Sequence, residues 1–355
     1  LFKPNTVFVV GAGASSEFGL PLGAGLSKKI IRNLSAQDDG TPNVRLRDLR
    51  AERLMKRRFS SDADGLESAF EAATIIQKGL LHAQSIDAFI DMHVDKPAVA
   101  MVGKLQIALE ILRAEAESTL YADGSNIYNR IDFNRDDVSR SWLRVFAEIL
   151  VEKARARDLR SIGAGVAIVC FNYDRCIEHY LIHALEATLG ITFEEAHEVV
   201  YGMDIIHPYG SLGDLPSSPA PRSGGIRFGA DVEDGSIDVW AVAEGLSTFT
   251  EEMRDKDKLQ GIHSAISTAE RLVFLGFGFQ SQNVQLLTPF AARTYRDVVS
   301  GFSTGVGIHE VALSEIRRRI VGLLAKARYR EKDAIMLGVG CGDLMRHNRL
   351  VLSAS

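Results

Sequence analysis

The sequence predicts an α/β protein, a mainly parallel sheet wrapped by helices and interrupted by a helical module. Three observations predict it. The apolar, β-branched runs Thr6–Val10, 165–171 and Arg271–Leu275 each read as a fully buried parallel strand, and each ends at small or polar residues. Strand-like and helix-like runs alternate after position 160, the pattern of a sheet covered on both faces. Between them, positions 43–153 carry helix periodicity and few strand-like runs, an insertion of roughly 110 residues.

Taken in order, Thr6–Val10 leads into Gly11-Ala12-Gly13-Ala14-Ser15-Ser16 and then Gly19-Leu20-Pro21-Leu22-Gly23. A helical stretch follows from about Ala24 to Leu34, and a polar break holds Asp38-Asp39-Gly40. In the insertion, Leu105, Leu109, Leu112, Ala116 and Leu120 form one apolar stripe, and Trp142, Val145, Phe146, Ile149 and Leu150 another. The basic cluster from Arg50 to Arg58 reads as a solvated helix face, or as a contact for an acidic partner or nucleic acid. The second strand closes at Asn172-Tyr173-Asp174, where Asp174 can cap the next helix. Val199-Val200-Tyr201 and Ile205-Ile206 read as short strands, and positions 214–235 as a long surface loop. The third strong strand ends at Gly276-Phe277-Gly278, and a long helix is expected from His309 to Lys326. The expected division is an α/β domain from 1–36 and 160–355, with the helical module at 37–159.

Composition narrows the function. The chain has 355 residues, 46% hydrophobic and 25% charged, which excludes a mainly disordered protein. A formal net charge of −5 argues against a globally basic nucleic-acid binder, so no direct nucleic-acid binding is expected of the isolated chain. Cys170, Cys176 and Cys341 match neither a disulfide framework nor a common zinc spacing, so no metal is expected. The first residues lack the features of a signal peptide, and no apolar run reaches about 18 residues. A cytoplasmic protein without membrane contact is expected.

In open α/β sheets, ligands sit outside the carboxyl ends of the strands. Positions 11–15, 172–174 and 276–279 are therefore expected to meet at one site. Gly-x-Gly after a strand is either a plain tight turn or a place where backbone N–H groups reach a pyrophosphate. The third glycine of the dinucleotide fingerprint is absent, since position 16 is serine.

The run Gly11-Ala12-Gly13-Ala14-Ser15-Ser16-Glu17-Phe18-Gly19-Leu20-Pro21 resembles the nucleotide loop of the sirtuins. Phe171-Asn172-Tyr173-Asp174 resembles their Asn-x-Asp element, and Phe274-Leu275-Gly276-Phe277-Gly278 their later glycine-rich strand end. Tyr209-Gly210-Ser211 stands where the family carries His-Gly. The resemblance spans positions 7–283, in the family's order, and implies a Rossmann-like sheet. Ser85-Ile86-Asp87-Ala88-Phe89-Ile90 also resembles a segment of bacterial sirtuin-like defence proteins. Two departures argue against a lysine deacylase: no Cys-x-x-Cys pair is present, and Leu22-Gly23-Ala24 replaces Asp-Phe-Arg. The resemblance thus implies the branch that hydrolyses NAD in antiphage defence.

By this resemblance Asn172 holds the ribose and a water, and Asp174 contacts the nicotinamide amide. Gly11, Ala12, Gly13, Ser15, Glu17, Gly276, Gly278, Phe279 and Asn283 line the dinucleotide, and Gly340-Cys341-Gly342-Asp343 resembles an adenine-side loop or is a plain strand-to-turn connection. Tyr209 aligns with the family's catalytic histidine, but a phenol is a poor base at neutral pH. His207, two residues earlier, is better matched if Pro208 keeps the segment extended and both side chains on one face. Tyr209 would then be a ribose or water ligand; a structural role for His207 is the other reading. The implied partners are a second copy of the chain and a HerA-type ATPase or Argonaute-like protein. The competing function is an NAD or ADP-ribose binding subunit without turnover.

Overall fold

The computed structural model describes residues 1–37, 45–122, 130–154, 158–218, 224–232, 237–289, 300–324 and 334–354. The Asp38-Asp39-Gly40 break, parts of the 214–235 loop and the end of the helix expected to reach Lys326 lie outside them.

The strands of the main sheet are β1 (Thr6–Val10), β2 (Val166–Cys170), β3 (Asp204–Ile206), β4 (Arg271–Leu275), β5 (Ser300–Thr304) and β6 (Ala334–Leu337). They form one six-stranded sheet in the order β3-β2-β1-β4-β5-β6. Every neighbouring pair is parallel. This is the Rossmann order: the chain builds outward from β1 on one side, then returns to start again at β4 on the other. β1 pairs with β2 and β4 in matching registers, so Val10 lies beside both Cys170 and Leu275. The three strong strands therefore end level with one another.

Alternation along β1 explains its unbroken apolar run. Val7 and Val9 enter the core on one face, Phe8 and Val10 the core on the other. Helices of the segment between β1 and β2 cover both faces. Leu105, Leu109 and Leu112 of one long helix, Pro97–Glu117, pack into the first core. Phe146 of the helix Trp142–Val151 packs into the second, with ring centroids 4.7 Å from Phe2 and 5.1 Å from Phe8. On the helix Leu49–Arg58, Arg53, Lys56, Arg57 and Arg58 are exposed, while Glu52 turns inward to accept from Leu46 N at 2.7 Å.

One segment departs from the expected pattern. Val199-Val200-Tyr201 closes the helix Phe193–Tyr201 instead of forming a strand. A reciprocal capping box between Thr192 and Glu195 starts that helix, and Ala196 and Val200 bury one face of it. Capping and helical burial outweigh the β-branched pair. The strand β5 escapes sequence reading because Ser300, Gly301, Ser303 and Thr304 dilute its apolar signal.

Phe146→Ala should lower stability by about 3–5 kcal/mol, because the cavity opens where the helix Trp142–Val151 meets β1. Denaturant unfolding checks this; a loss below about 1 kcal/mol would show that this helix packs on the sheet only loosely.

Candidate active site

The turns after β1 and β4 interlock through backbone. Gly11 N donates to Leu275 O at 2.9 Å, and Gly13 N to Gly276 O at 3.0 Å. Gly276 has φ +57, and a Cβ there would lie 2.1 Å from Ala14 N. A Cβ on Gly13 would lie 2.7 Å from Gly276 Cα, and one on Gly11 2.7 Å from Gly276 O. These glycines thus allow two turns to touch. The Gly11, Gly13 and Ala14 N–H groups all donate within the chain, so the expectation that this turn offers them to a pyrophosphate is revised. Gly278 differs, with open space around its missing side chain.

The turn after β2 joins the same rim. Asn172 Nδ2 donates to Gly11 O at 3.1 Å and to Ser15 Oγ at 2.8 Å. Ser15 Oγ donates to Asp174 Oδ1 at 3.0 Å, which also accepts from Cys176 N at 3.2 Å. Because Gly11 O can only accept, it fixes the NH2 end of the amide. Asn172 Oδ1 then remains as an acceptor that no described residue uses. Burial raises the Asp174 carboxyl pKa, although the bonds from Cys176 and Ser15 pull it back.

His207 and Tyr209 do not share a strand face. β3 ends at Ile206, and Gly210 N closes a turn onto His207 O at 3.1 Å, so Pro208 sits in a turn. The His207 ring lies between Asn172 O, 3.0 Å from Nδ1, and Glu178 Oε1, 2.8 Å from Nε2. Burial lowers the pKa of this ring, but Cys170 and Glu178 raise it well above its ordinary value. The Cys170 thiol is itself pushed up by burial and stays neutral, so Glu178 is what holds the proton. Each ring nitrogen of His207 faces an acceptor, so neither is presented to the rim as the free base expected there. Tyr209 OH donates to Asn283 Oδ1 at 2.6 Å, and burial pushes its pKa up, so it stays a phenol.

Other expected ligands serve as braces. Glu17 Oε2 accepts from Trp142 N at 3.0 Å and Oε1 from Gly342 N at 2.9 Å. One carboxylate thus caps the helices Trp142–Val151 and Cys341–His347, where negative charge is favoured. Phe279 is buried at φ +50 among Phe274 and Phe277, and its carbonyl accepts from Arg319 Nη1 at 2.6 Å.

Of three carboxylates near the rim, Glu178 and Glu115 escaped sequence reading, and Asp87 enters it only within the segment 85–90, without its partner. Glu178 holds His207, Asp87 accepts from Tyr173 OH, and Glu115 holds Arg175 with Nη2–Oε2 2.6 Å. Glu115 and Arg175 are 0% and 1% exposed. A signal was present: Glu115 and Glu178 interrupt apolar helix faces, and a buried carboxylate needs a partner. A groove of about 470 Å³, lined by residues including Asn5, Arg160, Asp204 and Ser264, lies at the amino ends of the strands, away from Asn172. Among the described residues, no group of three candidate metal ligands gathers, and no helix is long and apolar enough to cross a membrane.

No family model matches the chain, and no curated protein matches it. Among solved structures it is similar to one described as a Sir2 homolog–NAD complex. The two are 13% identical, over 98% of this chain and 90% of that one, with a TM-score of 0.39. A likeness this distant bears on no residue's role.

Gly276→Ala should cost roughly 3 kcal/mol or more, from left-handed strain plus overlap, against less than about 1 kcal/mol for Gly278→Ala. Equal melting temperatures for the two variants would refute the interlock. The His207–Glu178 pair carries a pH signature. His207 is raised above 6.5, so its contribution is full below that pH and is lost as pH rises through the folded pKa. Glu178 is lowered below 4.5, so its contribution is full above that pH and is lost as pH falls through the folded pKa. Stability from the pair is therefore greatest between pH 4.5 and 6.5. His207→Gln should flatten the alkaline limb of a melting-temperature profile; an unchanged limb would mean the ring is neutral in the fold.

Proposed function

We propose that this chain is an NAD glycohydrolase, which binds NAD at the β1/β4 switch point and releases nicotinamide and ADP-ribose. The observation that carries the reading is the Ser15–Asn172–Asp174 network at that rim, with Asn172 Oδ1 left as an acceptor. Open sheets of this order bind dinucleotides there. The sirtuin-like motifs of the sequence support the same choice of ligand.

The chemistry asks little of acids and bases. Nicotinamide is a pyridinium cation in NAD and leaves as a neutral molecule, so no strong general acid is needed. The ribose carbon passes through an oxocarbenium-like state that neutral water can capture, its proton departing afterwards. What the site must supply is orientation. In this reading Asn172 Oδ1 accepts from a ribose hydroxyl or the incoming water, and Asp174 binds the nicotinamide amide. Ser15 holds both side chains in register. The segments 11–13 and 276–279, with Asn283, line the dinucleotide. Tyr209 acts as a ligand through Asn283, and His207 orients the Asn172 backbone. Cleavage of this kind suits an effector that depletes NAD in antiphage defence. Control would lie in self-association or in a partner such as a HerA-type ATPase or an Argonaute-like protein.

One observation favours a second reading, an NAD or ADP-ribose binding subunit without turnover. His207 and Tyr209 are both engaged, so neither is free to take a proton. Incubation with NAD, with nicotinamide followed by chromatography and binding by calorimetry, separates the two. The hydrolase reading predicts release that falls about 100-fold or more in Asn172→Ala. Release that persists in that variant contradicts the site. Saturable binding without release by the wild-type chain, alone or with partners, favours the second reading.

A further inference from the structure

The residues on either side of Asp174 are gripped from the same direction. Tyr173 is buried, and its hydroxyl donates to Asp87 Oδ1, on the insertion helix Ile86–Met92. Arg175 is held by Glu115, on the insertion helix Pro97–Glu117, through Nη2, through Nε at 3.1 Å and through its backbone N–H at 3.1 Å. Glu115 Oε2 also accepts from Gly229 N at 3.0 Å. Two carboxylates from the helical insertion thus fix positions 173 and 175, while Asn172 and Asp174 face the rim.

The two grips differ in strength. The Glu115–Arg175 pair is buried with several hydrogen bonds, so breaking it would leave a charge without a partner. It is a fixed point. Asp87 reaches the turn through one bond only, to a hydroxyl at the tip of the Tyr173 side chain; its other side-chain bond, with Ser85, stays within its own segment. Its helix is tied further out, where Thr250 N donates to Asp91 Oδ1 at 3.3 Å. The adjoining helix pairs Lys104 with Glu251 at 2.8 Å. A shift of the helix Ile86–Met92 therefore reaches the site first through Asp87 and Tyr173.

We infer that Asp87 is a positioning residue: through Tyr173 it sets the placement of Asn172, and so makes the active site sensitive to where the helical insertion sits. This rests on the hydrolase reading and adds to it the device by which an assembly or partner contact on the insertion would act.

The test uses Asp87→Ala, Asp87→Asn, Tyr173→Phe and the double variant Asp87→Ala/Tyr173→Phe. Amide hydrogen exchange of the peptide covering 171–176 is followed against that covering 6–10. Exchange at 171–176 should rise about tenfold in Asp87→Ala and Tyr173→Phe, with 6–10 unchanged. Nicotinamide release should show kcat lowered about tenfold and KM within about twofold of wild type. The double variant should be no worse than the poorer single, because both break one contact. Asp87→Asn keeps an acceptor oxygen and should stay within about twofold of wild type. Unchanged exchange at 171–176, or losses that multiply in the double variant, would overturn the inference. If exchange rises as expected but the wild-type chain binds NAD and releases no nicotinamide, the hydrolase reading fails and the positioning role stands.

Discussion

The close approach of two backbone turns governs the rim of the sheet. Gly276 accepts from Gly13 N at 3.0 Å in a space where no side chain fits. That contact holds the turn after β1 against the turn after β4, at the point where the strand order reverses. With Gly11 placed in this way, its carbonyl becomes the acceptor that orients the Asn172 amide. Glycine is required because Gly276 sits at φ +57 and any Cβ would overlap the neighbouring turn. Sterics of the main chain thus decide which atom of a side chain faces the crevice.

Buried charge does the rest of the positioning. Glu115 with Arg175 and Glu178 with His207 are ion pairs drawn from separate elements onto residues 172–175. Pairs of this kind add little net stability over apolar packing, but a lone member would be costly, so they favour one arrangement of the chain. Glu17 does the same at longer range by capping two helices at once. The helical segment between β1 and β2 supplies Asp87, Glu115 and Trp142 to these contacts, so it is part of what builds the rim.

Much of the sheet was legible in the residues. Thr6–Val10, Val166–Cys170 and Arg271–Leu275 are buried on both faces, and a run without polar interruptions is what such burial leaves in a sequence. The nearness of Asn172 to Ser15 and Gly11 followed from the rule that strand ends share a rim. The fate of Val199–Tyr201 was not legible, because a capping box competed with β-branched residues over a short window. Neither was the state of His207. Spacing from Tyr209 suggested a shared strand face, whereas Pro208 turned the chain and Glu178, from a helix, supplied the proton's partner. Periodicity reports burial well, and says little about which buried polar groups find each other across the fold.

The most direct test of this account is a crystal structure of the Asn172→Ala variant grown with saturating NAD. The account predicts a dinucleotide lying across the β1/β4 rim, its glycosidic bond within hydrogen-bond reach of position 172 and its nicotinamide amide against Asp174. A dinucleotide bound in the groove at the amino ends of the strands, or an unaltered rim with none bound, would contradict it.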